Sequence, residues 1–101
     1  MDNDRKREIA TQGGCGLIAR AVLNLRPDGT PVLWYDRDGS AIHAAIKFGR
    51  QLVHLGSRET GYTETSADEL NRAIAEDFYP DRLNLQEGEI EKLAAEIIED
   101  F

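Results

Sequence analysis

Two turn signals, Asp38-Gly39 and Gly49-Arg50, bracket a run from Ala41 to Phe48, and no other feature constrains the fold as strongly. Within the run, Ile42, Ala44, Ile46 and Phe48 fall on one side and Ala41, His43, Ala45 and Lys47 on the other. That is the period-two pattern of a strand. Asp-Gly is a favoured hairpin pair, and a glycine at the first central position suits a two-residue type II′ turn. The run must therefore pair antiparallel with its neighbours on both sides. Before it stand residues 32–36, Val-Leu-Trp-Tyr-Asp, with the β-branched and aromatic content of a strand, and after it residues 51–55. With Gly49-Arg50 as the loop, Phe48 faces Gln51, Ala45 faces His54 and His43 faces Gly56. Both histidines then project from one face as diagonal neighbours, about 7 Å apart between Cα atoms.

Helical patterns flank this meander. Asp4 is placed to cap a short polar helix over residues 5–11, which has only Ile9 and Ala10 to anchor it and is prone to fray. Gly13-Gly14 breaks the pattern, and a second helix begins near Cys15, with Ile18, Val22 and Leu25 on one stripe and Arg26-Pro27-Asp28-Gly29 as its stop. Beyond a polar loop, Ser66 and Glu69 form a capping box for a helix reaching about Phe78, with Leu70, Ala73, Ile74 and Phe78 inward and Pro80 ending it. Asn84 and Glu87 signal a last helix, with Ile90, Leu93, Ala94, Ile97 and Phe101 toward the core. The expectation is one α+β domain over residues 1–101, its helices packed on a three-stranded antiparallel meander in the order ααβββαα.

Charge is divided unevenly along the chain. Residues 1–58 hold nine Lys/Arg against six Asp/Glu, whereas residues 59–101 hold three against thirteen. An acidic half of this kind repels phosphates, which argues against nucleic acid as a partner and leaves basic protein surfaces. No apolar stretch suits a signal peptide or a membrane span, so a soluble cytoplasmic protein is expected. One cysteine and two histidines match no recognised metal spacing, and neither a metal nor a cofactor is expected. Gly13-Gly14-Cys15-Gly16 lacks the Lys-Ser/Thr that a phosphate loop requires.

One constellation has the residue types for chemistry. Cys15 opens a helix, where unpaired N–H groups and the dipole favour a thiolate. Gln12 is close enough in sequence to donate to an oxyanion, the flanking glycines leave room for a substrate backbone, and His43 and His54 are the available bases. Cys15 also shares a stripe with Ile18, Val22 and Leu25, where a free cysteine serves as a small core residue. Likewise, His43 among alanines can pack against a helix and bond a backbone carbonyl.

Glycine-flanked Cys15 with the helix Leu17-Ile18-Ala19-Arg20-Ala21-Val22-Leu23, then Trp34-Tyr35-Asp36-Arg37-Asp38-Gly39-Ser40, then residues 43–53 beginning His43-Ala44-Ala45, resembles the papain-like cysteine hydrolases in their compact bacterial and phage forms. The resemblance spans residues 12–56 in order and spacing. It implies that Cys15 is the nucleophile and His43 the general base. His54 stands where the family has an orienting acid, and its neutral ring can accept a hydrogen bond from His43. The implied activity is hydrolysis of an amide, ester or isopeptide bond in a peptide or protein substrate, or an inactive relative of such an enzyme. The alternative is a small acidic protein-binding or inhibitory module acting through its C-terminal helices, such as an anti-defence protein of a mobile element. The first reading needs Cys15 and His43; the second needs the Asp and Glu residues of the last two helices.

Overall fold

The computed structural model describes residues 2–101, apart from the side chain of Arg82. Its elements are α1 (Asn3–Thr11), α2 (Cys15–Leu25), β1 (Thr30–Tyr35), β2 (Ala41–Phe48), β3 (Gln51–Val53), β4 (Thr63–Glu64), α3 (Ala67–Glu76), a 3-10 turn (Pro80–Leu83) and α4 (Glu89–Glu99). The four strands form one antiparallel sheet in the order β3-β2-β1-β4. The three-stranded meander in ααβββαα order is therefore corrected. β4 comes from the polar loop and pairs Thr63 with Leu33 and Glu64 with Val32. Two exposed polar residues carry no hydrophobic period, so only the free edge of β1 reveals them as a strand.

The turns follow local chemistry. Gly49 takes a φ of +63° at the first central position of its turn, and Phe48 pairs with Gln51. Asp36 closes the other turn by accepting from the backbone N–H groups of Asp38 at 2.9 Å and Ser40 at 3.0 Å. The period of β2 is broken at its start. Trp34 pairs with His43, but Tyr35 pairs with Ala41, leaving Ile42 as the extra residue of a β-bulge. Ala41 thereby joins Ala44 and Ile46 on the core face, and Ile42 turns out to solvent, 44% exposed.

Several caps differ from expectation. Asp2, not Asp4, caps α1, accepting from Arg5 N at 2.7 Å. Ser66 caps α3 as the sequence indicates, but the Glu69 carboxylate pairs with Arg72 and does not return to the cap. Asn84 adopts left-handed backbone (φ 51°) after the 3-10 turn, and α4 begins only after Gly88. Gly88 is the N-cap and offers no side-chain hydrogen bond, while Glu89 in the first turn accepts from Gln86 N at 3.2 Å and pairs with Arg5 of α1.

One face of the sheet carries the helices. α2 lies against β2 and is flanked by α3 and α4. Ile18 and Val22 meet Leu33, Ala44 and Ile46 there, with Leu70, Ala73, Leu93 and Ala94 closing the core. Each large apolar side chain so buried stabilises the fold by about 1.5–3 kcal/mol. The approach of α1 to α2 depends on Gly14, where a Cβ would stand 2.5 Å from Ile9 O and 2.9 Å from a Leu83 methyl. The opposite face of the sheet holds Val32, Trp34 and Ala45, with Leu52 and Tyr62 against them. Residues 54–62 fold across that face, held by Trp34 Nε1 donating to Thr60 O at 2.7 Å.

Candidate functional site

Cys15 does stand at the start of α2, and α2 does pack on β2. The sheet face it meets is the other one. With the bulge, Ala41, Ala44 and Ile46 point toward α2, and His43 points away, into the cluster beneath residues 54–62. The Cys15 thiol is 5% exposed and makes no contact with His43 or His54. Burial raises its pKa above the ordinary thiol value, outweighing hydrogen bonds from the backbone N–H groups of Ala44, Gly16 and Cys15 itself. A thiol held neutral on the far side of a β-sheet from the imidazoles is no nucleophile for them to activate.

The surroundings of Cys15 agree. A Cβ on Gly16 would meet the Phe78 ring at 2.6 Å, and one on Gly13 would meet the Tyr79 backbone at 2.9 Å, so the glycines accommodate the protein's own chain and not a substrate. Gln12 is exposed at the end of α1, its backbone N–H bonded to Glu8 O. The papain-like reading and its hydrolase activity are corrected on this geometry. Alternation along β2 sends His43 to the face of the sheet opposite Cys15.

The two histidines do come together. His43 Nε2 and His54 Nδ1 are 2.7 Å apart. Burial lowers the His43 pKa from 6.5 to about 4, aided by His54 and by the charge of Arg58. Burial also lowers that of His54, partly offset by its hydrogen bond to the Arg58 backbone. If His54 donates to that carbonyl, its Nδ1 is the acceptor in the neutral ring and His43 Nε2–H is the donor of the pair. Trp34 stacks on His54 with centroids 5.6 Å apart and stands 5.1 Å from His43, while Tyr62 meets its edge at 5.7 Å. Gly56 lies over the pair, where a Cβ would be 3.3 Å from His54 Nδ1. Two neutral imidazoles, with no carboxylate partner among the described residues, clamp a loop onto a sheet. Among the described residues, no group of three or more His, Cys, Asp or Glu side chains is placed to hold a metal ion.

The acidic half provides a different kind of surface. Arg5, Lys6, Lys47 and Arg72 pair with Glu64, Glu69, Glu76, Asp77, Glu89 and Glu96. Asp77 is the most constrained of these. Burial opposes its ionisation, but the Ala41 N–H at 2.8 Å and Arg72 at 3.0 Å hold its pKa below the ordinary value. Arg5 holds Glu89 down at about 2. Glu59, Asp68, Asp81, Glu87, Glu91, Glu99 and Asp100 are exposed, and among the described residues no cation lies within ion-pair distance of them. On α4, Ile90, Leu93 and Ala94 face inward while Glu91 and Glu99 face out; on α3, Leu70 and Ala73 are inward and Asp68 is out.

The asymmetry of charge was visible in the sequence. The packing of Tyr62 on Trp34 was not, because β4 brings it to the sheet from the polar loop. Among the described residues, no helix is long and apolar enough to cross a membrane. Comparisons with protein-family models, with curated proteins and with solved structures found no match for this chain.

Proposed function

We propose that this protein is a small binding module that occupies a basic surface of a partner protein through the outer faces of α3 and α4. The observation that carries the reading is the set of exposed acidic side chains in residues 59–101 that, among the described residues, have no cation within ion-pair distance, with Asp68 on α3 and Glu91 and Glu99 on α4. Acids already paired within the fold give little to a partner. Unpaired and solvated ones steer a basic surface into contact and favour its approach over that of like-charged surfaces. A partner surface of that charge is one suited to nucleic acid or to another acidic protein, so occupying it competes with that ligand and inhibits. We place the module in the cytoplasm, in keeping with its single unpaired cysteine.

The test is affinity capture at low ionic strength with wild type, with Cys15→Ala and with the reversal Asp68→Lys/Glu91→Lys/Glu99→Lys. The captured protein is then identified, purified and titrated. Wild type and Cys15→Ala are expected to bind alike, with affinity falling about tenfold or more between low and physiological salt, and the reversal is expected to bind weakly at either. A complex indifferent to salt and to charge reversal, or one lost in Cys15→Ala, overturns the reading.

A further inference from the structure

Residues 56–61 lie across the sheet face that carries Trp34, and all of them are exposed. Among the described residues, none of them makes a backbone–backbone hydrogen bond. Two side chains reaching up from the sheet attach the segment instead. Trp34 Nε1 donates to Thr60 O at 2.7 Å, and the His54 ring bonds the Arg58 backbone. Gly56 opens the segment directly over the imidazoles, and Gly61, at a φ of +85°, closes it. Chain held by side chains alone, between two glycines, opens at lower cost than the core does.

The rings beneath are shut away from water. Trp34 is 4% exposed and His43 9%. With His54 donating to Arg58, its Nδ1 accepts from His43 Nε2 at 2.7 Å, so the ring that holds the segment is itself held by His43. A proton arriving at His54 Nδ1 sets N–H against N–H across that distance. One arriving at His43 Nδ1 makes a buried cation that the charge of Arg58 opposes. Arg58 rides on the segment, so lifting the segment removes that charge and admits water to both rings. The other charged groups around the pair are Arg50, Glu59 and Asp100, which line the concavity beside His54 with Tyr62, and Lys47, 5.3 Å from the Tyr62 ring. Among the described residues, neither carboxylate hydrogen-bonds to an imidazole, so neither offers an imidazolium a partner while the segment is closed. A state that binds protons more tightly gains population as the pH falls.

We infer that residues 56–61 are a flap that proton binding at the His43–His54 pair releases from the sheet, baring the Trp34 indole while the helices stay packed. The inference is independent of the binding reading above. It makes the aromatic face of the sheet a surface that acid uncovers.

The probe is solvent exchange of the Trp34 indole N–H, the donor to Thr60, followed by NMR in the full chain and expressed as protection relative to N-acetyltryptophanamide at the same pH. Backbone amides of Val22 and Leu23 in α2 report global unfolding. At pH 7 the indole is expected to be less protected than these amides and indifferent to urea well below the unfolding midpoint, whereas the α2 amides lose protection with urea throughout. Between pH 7 and pH 5 indole protection is expected to fall about twentyfold, from a His43 pKa of about 4 closed and 6.5 open. In His43→Gln, whose amide can still donate to His54 Nδ1, the fall is expected to be about fivefold or less. An indole as protected as α2, with the same dependence on urea, would mean that the segment leaves only when the whole domain unfolds, and overturns the inference. So does indole protection that is level with pH, or that falls equally in wild type and His43→Gln. If His43→Gln does not give a native spectrum, the urea and pH dependences of wild type decide alone.

Discussion

The neutral His43–His54 pair makes stability depend on pH in a window where few other groups contribute. In the folded chain His43 titrates near pH 4; in the unfolded chain it titrates near 6.5. Between those values the unfolded state binds a proton that the folded state refuses, so the contribution is complete above the higher value and is lost as pH falls toward the lower. From about pH 7 to about pH 5 the loss for this one group is about 2 kcal/mol. His54 is shifted the same way and adds to it. For a domain of this size a urea slope of about 1–2 kcal/mol/M converts that into a fall of about 1–2 M in the midpoint.

Trp34, the only tryptophan, touches both rings and supplies the emission signal. Two other pH-dependent effects are separable from it. Asp77 and Glu89 have depressed pKa values, so their stabilisation is lost only below the ordinary carboxylate range, under the window used. Relief of net negative charge on acidification acts in the opposite direction and is shared by any variant. The measurement is therefore the difference between wild type and His43→Gln, each unfolded in urea at about pH 7, 6 and 5. Wild type is expected to lose stability more steeply, with the two midpoints converging as the pH falls. Parallel midpoints across the window would show that His43 titrates normally and would refute the burial argument.

Two further outcomes follow from packing. Alkylation of Cys15 by iodoacetamide is expected to be slow at neutral pH in native protein and unchanged in His43→Ala except through unfolding, because the thiol is buried and the histidine lies across the sheet; rapid reaction dependent on His43 would contradict the geometry. Gly14→Ala places a Cβ 2.5 Å from Ile9 O and should cost about 2–4 kcal/mol, read as a lower urea midpoint with undocking of α1, whereas a neutral result would mean that α1 is not held against α2.

What the sequence disclosed depended on where the signal was local. The type II′ turn at Gly49 and the pairing of Phe48 with Gln51 are set by neighbouring residues, and with them the meeting of His43 and His54. The start of α2 follows from Gly13-Gly14, and the Ser66 cap from the residues beside it. Long-range choices were not legible. Nothing in Thr63-Glu64 marks a strand until β1 offers an edge. α4 starts after Gly88 and not after Asn84, and its first residue Glu89 pairs with Arg5, far away in sequence. The candidate site failed at the same level. Cys15 and His43 have reactive side chains, and only the choice of sheet face decides whether they meet.

The bulge at Ile42 decides a different placement, that of the first residues of β2. Read without a bulge, β2 puts Ala41 with His43 and Ala45, a face small enough for a helix to approach closely, and Ile42 in the core. The bulge reverses the first pair only. Ala41 moves to the face that α2 covers, its N–H engages Asp77, and Ile42 is left outside beside Tyr79. From His43 onward the alternation is undisturbed, so the imidazoles stay on the face opposite Cys15. One inserted position thus secures the β2–α3 junction and exposes an isoleucine that the period of the strand would have buried. Partial exposure of Ile42 forgoes some of the burial the aligned strand would have kept, a fraction of the about 1.5–3 kcal/mol that full burial of such a side chain gives.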